Sequence, residues 1–312
     1  MSSDQSRKTV IGVGLACLDQ VILWADSAEP VHAARVKDFD VQGGGMTATA
    51  MVAAARLGAR AEFWGAVGDD WAGGMIIDGL AAEGVDVSQV VRVSGAQGPI
   101  VVVCVDGSTG ERRFPFIQRI VDPDEPIGDL ARLTDAGCVL VDGSRCASAL
   151  RAAAEARRLG VPVVGDIEGI NDRTRSLMAH MHYAILSAEA ARRLDADLRA
   201  ACEKVLAMGP THAVVTLGPD GVVCLADGQF ITADAFPVDV VDTTGAGDTF
   251  HGAFCCGLVR GLDLQTNLAF SSAAAAMKCR KIGGRAGIPN YEQVARFLVE
   301  RGVSLPDDQT EI

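Results

Sequence analysis

A chain of 312 residues with 49% apolar and 22% charged residues can bury a sizeable core, and its composition is that of a globular protein. Its formal charge of −12 argues against a nucleic-acid partner, because phosphate backbones are held by basic faces. No run of eighteen apolar residues occurs, so neither a signal peptide nor a membrane span is expected. The nine cysteines, without a Cys-x-x-Cys pair, read as buried free thiols of a cytoplasmic protein.

Val10 to Gly14 reads as a first strand. Gly12-Val13-Gly14 lacks the third glycine of a dinucleotide fingerprint, and Leu15 to Leu18 opens no helix, which disfavours NAD. Asp19, just past that strand's C-terminal end, is placed to bond a polar ligand in the crevice of an α/β sheet; a turn or cap carboxylate is the plainer reading. Gly43-Gly44-Gly45 costs backbone entropy that a ligand contact would offset. Thr47 to Leu57 reads as an Ala-rich helix, Ala61 to Trp64 as a strand and Met75 to Glu83 as a helix stopped by Gly84. Cys138–Val141, Val161–Gly165, Tyr183–Leu186 and Ala213–Thr216 read as central strands, with helices such as Ser148–Leu159 and Leu198–Met208 between them. His180 and His182 have no nearby cysteine or paired carboxylates, so no metal site is expected there.

This alternation predicts an α/β fold: one domain over 1–312, with a Rossmann-like, mainly parallel sheet flanked by helices. Two stretches interrupt it. Residues 32–42 and 98–118 look like antiparallel strands, the second folded at Asp106-Gly107-Ser108-Thr109-Gly110. They predict a small β lid that excludes water from a reacting phosphoryl group; a decorative hairpin on the sheet edge is the alternative.

The richest signal is Asp242-Thr243-Thr244-Gly245-Ala246-Gly247-Asp248-Thr249-Phe250. The apolar run Phe236 to Val241 before it reads as a strand, and Phe250, Ala253, Phe254 and Leu258 recur at helical spacing after it. A glycine turn opening a helix is an anion site, because the first N–H groups of the helix lack partners. A carboxylate in such a site needs chemical work, and a base that takes the proton of an attacking hydroxyl fits. Asp248 as a simple helix cap is the bland alternative.

Taken together, these loops resemble the ribokinase/PfkB family of carbohydrate kinases over nearly the whole chain. Asp-Thr-Thr-Gly-Ala-Gly-Asp-Thr-Phe is specific for that family, and Gly65 to Asp70 and Ala50 to Gly58 look like its second region. Gly43-Gly44-Gly45, Val238 to Asp242 and Lys278 to Pro289 look most like its ketohexokinase and sulfofructose kinase branch. The resemblance implies ATP, Mg²⁺ and often a stimulatory monovalent cation such as K⁺ near Asp242 and Thr244, with a homodimer formed through the lid. It implies Asp248 as base, Gly245, Ala246 and Gly247 as anion hole, and Asp19, Gly44, Gly45 and Thr49 facing the sugar. It also implies Thr216, Gly218, Gly221 and Gly284 at ATP, and Asp166 near the phosphates and metal.

Three departures limit the carry-over. Thr49 stands where many members have a sugar-contacting Asn. The Asn-x-x-Glu element that orders Mg²⁺ is Ser187-Ala188-Glu189-Ala190, so Glu189 from a shifted position, or Asp166 with Glu168, would serve the metal. Of the sulfonate-binding positions of sulfofructose kinases only Arg145 has a counterpart, with a register shift of one, so sulfofructose is disfavoured. The expected activity is ATP-dependent phosphorylation of a hydroxyl of a small sugar, a ketose or derivative. A nucleoside kinase of the same family and a catalytically dead sugar or nucleotide sensor are the alternatives.

Overall fold

The computed structural model describes residues 9–24, 36–106, 112–113, 123 and 126–306. Its main sheet is built from β1 (Thr9–Val13), β4 (Arg60–Gly68), β5 (Val85–Asp86), β6 (Val90–Val93), β9 (Ala136–Asp142), β10 (Val163–Ile167), β11 (Tyr183–Ser187), β12 (His212–Thr216), β13 (Val222–Ala226) and β14 (Gln229–Ala233). The order is β14-β13-β12-β11-β10-β9-β1-β4-β5, with β6 also paired to β4. All pairs from β5 to β12 are parallel, and β13 and β14 extend the edge in antiparallel fashion.

A second sheet, in the order β3-β2-β7-β8, contains β2 (Cys17–Trp24), β3 (Val36–Gly44), β7 (Ile100–Asp106) and β8 (Arg112–Arg113). The hairpin tip at 107–110 and residues 114–118 lie outside the described residues. β2 was not anticipated: the chain after Gly14 does not stop in the crevice but leaves the main sheet as a strand, pairing antiparallel with β3 and parallel with β7. Asp19 therefore sits on the second sheet, opposite Gln42.

The helices are α1 (Met46–Arg56), α2 (Trp71–Ala82), α3 (Cys146–Leu159), α4 (Asp172–Met178), α5 (Ala188–Leu194), α6 (Leu198–Leu206), α7 (Ala246–Val259), α8 (Leu264–Lys278) and α9 (Tyr291–Val299). The central strands are buried on both faces, so consecutive residues feed two cores. Val10, Phe63, Cys138 and Leu140 pack in one core, with Phe250 and Phe254 of α7. Ile11, Trp64, Val139 and Val141 pack in the other, with Ala149 and Ala153 of α3. Helices α1 and α7 lie in close contact at Gly252, where a Cβ would stand 2.1 Å from the Ala50 carbonyl oxygen.

One strand expected from the sequence is absent. Phe236 to Val241 has no strand partner; Val241 N and Asp242 N instead donate to the Cys279 carbonyl at the end of α8. Pro237 has no N–H to give a ladder, and the apolar side chains serve a cleft rather than a sheet. The eight described cysteines are free, and all but Cys104 are buried. No helix among the described residues is long and apolar enough to cross a membrane.

The chain steps from β1 to β4 on one side and to β9 on the other. The crevice between β1 and β9, at the carboxyl ends of the strands, is thus the topological switch point where such sheets take ligands.

Candidate active site

Gly245 is the residue before α7 and has φ 73°, a left-handed conformation that favours glycine. A Cβ there would also lie 2.5 Å from the Gly284 carbonyl oxygen. The turn is tied down by Asp242, whose Oδ1 accepts from Thr244 N (2.9 Å) and Thr244 Oγ1 (2.7 Å) and whose Oδ2 accepts from Gly283 N (2.8 Å). The buried Lys278 ammonium donates to the Asp242 carbonyl oxygen at 3.0 Å. Burial alone would raise the Asp242 pKa, but these donors and the Lys278 charge hold it below the ordinary carboxylate value. Ala246 N donates within the turn to Thr243 O at 3.2 Å, whereas no acceptor among the described residues takes the N–H groups of Gly247 and Asp248. Donors of this kind at a helix start are the groups an anion takes.

Asp248 lies in the first turn of α7 and is half-buried. Burial, then the charge of Asp166, push its carboxyl up to about 8; His251 opposes this, and Glu168 and Asp19 add to it. Asp166, near the end of β10, is raised well above the ordinary value by burial and by Asp142 and Glu168. Glu168 is raised by burial and by Asp142, with His251 and Arg193 opposing. These carboxylates lie within electrostatic reach of one another, but no three His, Cys, Asp or Glu side chains among the described residues are grouped as a metal-ligand set.

His251 is 6% exposed, one turn after Asp248's neighbour Gly247, and its Nδ1 lies 2.7 Å from the Gly247 carbonyl oxygen. A carbonyl only accepts, so Nδ1 carries the proton and Nε2 faces Asp166 Oδ1 at 3.6 Å. Burial holds the imidazole below its usual pKa. Asp142, at the end of β9 and fully buried, accepts from Leu15 N (2.8 Å), Thr47 Oγ1 (2.6 Å), Ser144 N (2.8 Å) and the Ser144 hydroxyl. Its role is to join strand ends, not to offer free oxygens.

On the other side, Asp19 and Gly44 are in close contact: a Cβ on Gly44 would lie 2.2 Å from the Asp19 carboxylate. Cys17 Sγ donates to Asp19 Oδ1 at 3.2 Å. Burial raises the Asp19 pKa, opposed by the Cys17 hydrogen bond and by Arg285. Thr49 is buried inside α1, and its hydroxyl accepts from Arg285 Nε at 3.3 Å. Gly45 precedes α1 with φ 90°.

A cleft of about 590 Å³ opens beside the anion turn, lined by Thr216, Gly218, Gly221, Phe236, Val240 and Phe250 among others and reaching Ala246 and Gly247. Its walls are largely apolar, the surface a flat heterocycle needs. Gly284 packs against Gly245 rather than lining this cleft. Glu189 is exposed and pairs with Arg193 on the surface of α5. Arg145 ends the turn Gly143–Arg145 beyond β9, and its side chain lies outside the described residues.

Sequence reasoning passed over Asp142, His251 and Arg285. Arg285 lies inside the Lys278 to Pro289 stretch, where a cation among glycines is the available signal. Asp142 and His251 carry no local pattern.

A family model described as pfkB family carbohydrate kinase matches residues 8–290. The chain belongs to that family. Against its pfkB relatives the chain aligns almost end to end. It is 26% identical over 293 residues to a ribokinase of Bacillus subtilis, covering 93% of this chain and 99% of that protein. It is 26% identical over 322 residues to a nucleoside kinase of Methanothermobacter thermautotrophicus, covering 98% and 100%. The structure of Arabidopsis thaliana ribokinase complexed with ribose and ATP superposes with a TM-score of 0.82 at 25% identity, covering 93% of this chain and 98% of that one. This pfkB enzyme is therefore a carbohydrate kinase with the ribokinase-like fold.

Proposed function

We propose that this kinase transfers the γ-phosphoryl group of ATP to a hydroxyl of a small sugar, a ketose or a derivative, held between the second sheet and the start of α7. The observation that carries this reading is the placement of Asp248. Its carboxyl is in the first turn of α7 with the two N–H groups that no described residue accepts from, and the preceding residue, Gly247, lines the apolar cleft.

The nucleotide base occupies the cleft by Thr216, Gly218 and Gly221, which directs the phosphates to Ala246 and Gly247. The N–H groups of Gly247 and Asp248 stabilise the charge that spreads over the transferring group. Asp248 accepts the proton of the acceptor hydroxyl as the oxygen attacks phosphorus, and a carboxyl titrating near 8 is matched to that task. Asp19 and the Gly43–Gly45 backbone orient the sugar. The second sheet, with Val36 and Phe39 exposed on β3, covers the acceptor and forms the contact of a homodimer.

Asp166 and Glu168 suit Mg²⁺, since hard oxygen donors are what it takes and one or two carboxylates plus phosphates are its usual set. When bound, the ion supplies charge neutralisation between the phosphates. Asp242 fits a monovalent cation poorly, because each of its oxygens already accepts from the chain.

A coupled ADP-release screen over ketoses, aldoses, sugar acids, sulfosugars and nucleosides tests the reading. ADP release dependent on a sugar is expected. Turnover with nucleosides alone, or with no acceptor at all, would overturn it.

A further inference from the structure

We infer that Arg285 is the acceptor-recognition residue and that it selects a sugar bearing an oxyanion: a carboxylate, sulfonate or phosphate. The inference rests on the reading above that Asp19 and the Gly43–Gly45 strip form the acceptor side.

Arg285 is 7% exposed. A guanidinium cannot give up its proton, so a buried one calls for a counter-ion. Among the described residues none is paired with it: no carboxylate lies within 4.0 Å, and its side chain makes two hydrogen bonds, Nη2 to Gly44 O (2.9 Å) and Nε to Thr49 Oγ1 (3.3 Å), both to neutral oxygens. Burial lowers its pKa, with Cys17, Asp19, Glu83 and Asp248 opposing from a distance.

Nη1 makes no hydrogen bond and abuts Gly43, where a Cβ would stand 2.0 Å from it. The missing Cβ of Gly43 thus lets the guanidinium pack directly on the glycine strip. The guanidinium lies within electrostatic reach of both Asp19 and Asp248.

The guanidinium is not needed to hold its own loop. Arg56 does that from behind: its Nη1 donates to Arg285 O (2.7 Å) and Ile288 O (3.1 Å), while Nε and Nη2 grip the Glu83 carboxylate at 2.7 and 2.6 Å. A planar fork with free donors, fixed backbone and no counter-ion is the arrangement that receives an oxyanion in bidentate fashion. The carboxyl groups of Asp19 and Asp248 offer no positive charge, so the charged end is directed to Arg285 and a hydroxyl to Asp248.

The test compares acceptor pairs that differ only in the charged group, as 6-hydroxyl against 6-sulfonate or 6-phosphate ketohexoses and aldoses against the corresponding aldonates. Wild type, Arg285→Met and Arg285→Lys are used, each checked by circular dichroism. The wild type is expected to favour a charged member by about 100-fold in kcat/KM, as one charge-assisted bidentate contact supplies. Arg285→Met raises that acceptor's KM at least about 30-fold, at least about ten times more than it raises the neutral member's, and leaves KM for ATP within about 3-fold; Arg285→Lys keeps part of the preference. Which of the three oxyanions responds identifies the group.

Calorimetric binding of the same acceptors with a non-hydrolysable ATP analogue separates this inference from the kinase reading. Arg285-dependent binding without turnover would retain the one and sink the other. Equal binding of charged and neutral members by the wild type, or equal loss of both in Arg285→Met, overturns the role of Arg285. If Arg285→Met does not fold, the wild-type preference and the Arg285→Lys response decide.

Discussion

Thr47 and Asp142 are 95 residues apart in sequence, and the Thr47 hydroxyl donates to Asp142 Oδ2 at 2.6 Å. Leu15 N donates to the same oxygen at 2.8 Å. One buried carboxylate thereby joins the ends of β1 and β9 to the first turn of α1, and α1 begins directly after the acceptor glycines. Asp142→Ala is expected to cost about 3 kcal/mol, because four donor groups lose a charged acceptor in a dry site; Thr47→Val is expected to cost about 1 kcal/mol. Urea unfolding measures both. Wild-type stability in Asp142→Ala would show that the clamp is idle.

The raised carboxyl of Asp248 makes the nucleotide-free protein's stability depend on pH. Its folded pKa of about 8 exceeds the ~3.9 of an unfolded Asp, so the folded chain binds the proton more tightly. The contribution to stability is whole below about pH 4 and is lost as pH rises through 8. Asp248→Asn, which cannot ionise, is expected to melt about 2–4 °C above wild type at pH 8, with the gap closing toward pH 4. A gap that widens on acidification would show that the carboxyl is not held protonated.

Much of the fold was legible because period and punctuation are local. The turn at Gly245 and the buried face of α7 follow from two glycines and from Phe250, Ala253 and Phe254. What escaped depends on tertiary context. Phe236 to Val241 has the apolar content of a strand, yet it has no sheet neighbour and lines the cleft. Cys17 to Trp24 gave no strand signal beside Gly14, since its role as β2 is set by pairing with residues 36–44 and 100–106. Among the site residues, Asp248 was marked by its glycines. Asp142, His251 and Arg285 are defined only by what packs around them.

Lys278 ends α8 with no exposure, its ammonium on the Asp242 carbonyl. Lys278→Met keeps the volume but removes the cation from the base of the anion turn. It is expected to cost about 2 kcal/mol and to lower kcat more than it raises KM for ATP, since the turn that holds the transferring group loses its anchor. Thermal melts and steady-state kinetics check this. A variant with wild-type stability and kcat would show the contact to be dispensable.

Ala276 on α8 lines the cleft beside Gly221 and Val222. Ala276→Phe would fill space assigned to the nucleotide base. KM for ATP is expected to rise at least about tenfold, with the acceptor KM within about 2-fold, because the acceptor lies across the anion turn. The opposite pattern would place the nucleotide elsewhere.

The central claim is that Asp248 takes the proton of the acceptor hydroxyl. Its most direct test is kcat and ATP affinity of Asp248→Asn, measured on the acceptor that the wild type turns over fastest. A fall in kcat of about 10³-fold or more is expected, with ATP affinity within about 3-fold of wild type. Near-normal kcat in that variant would contradict it.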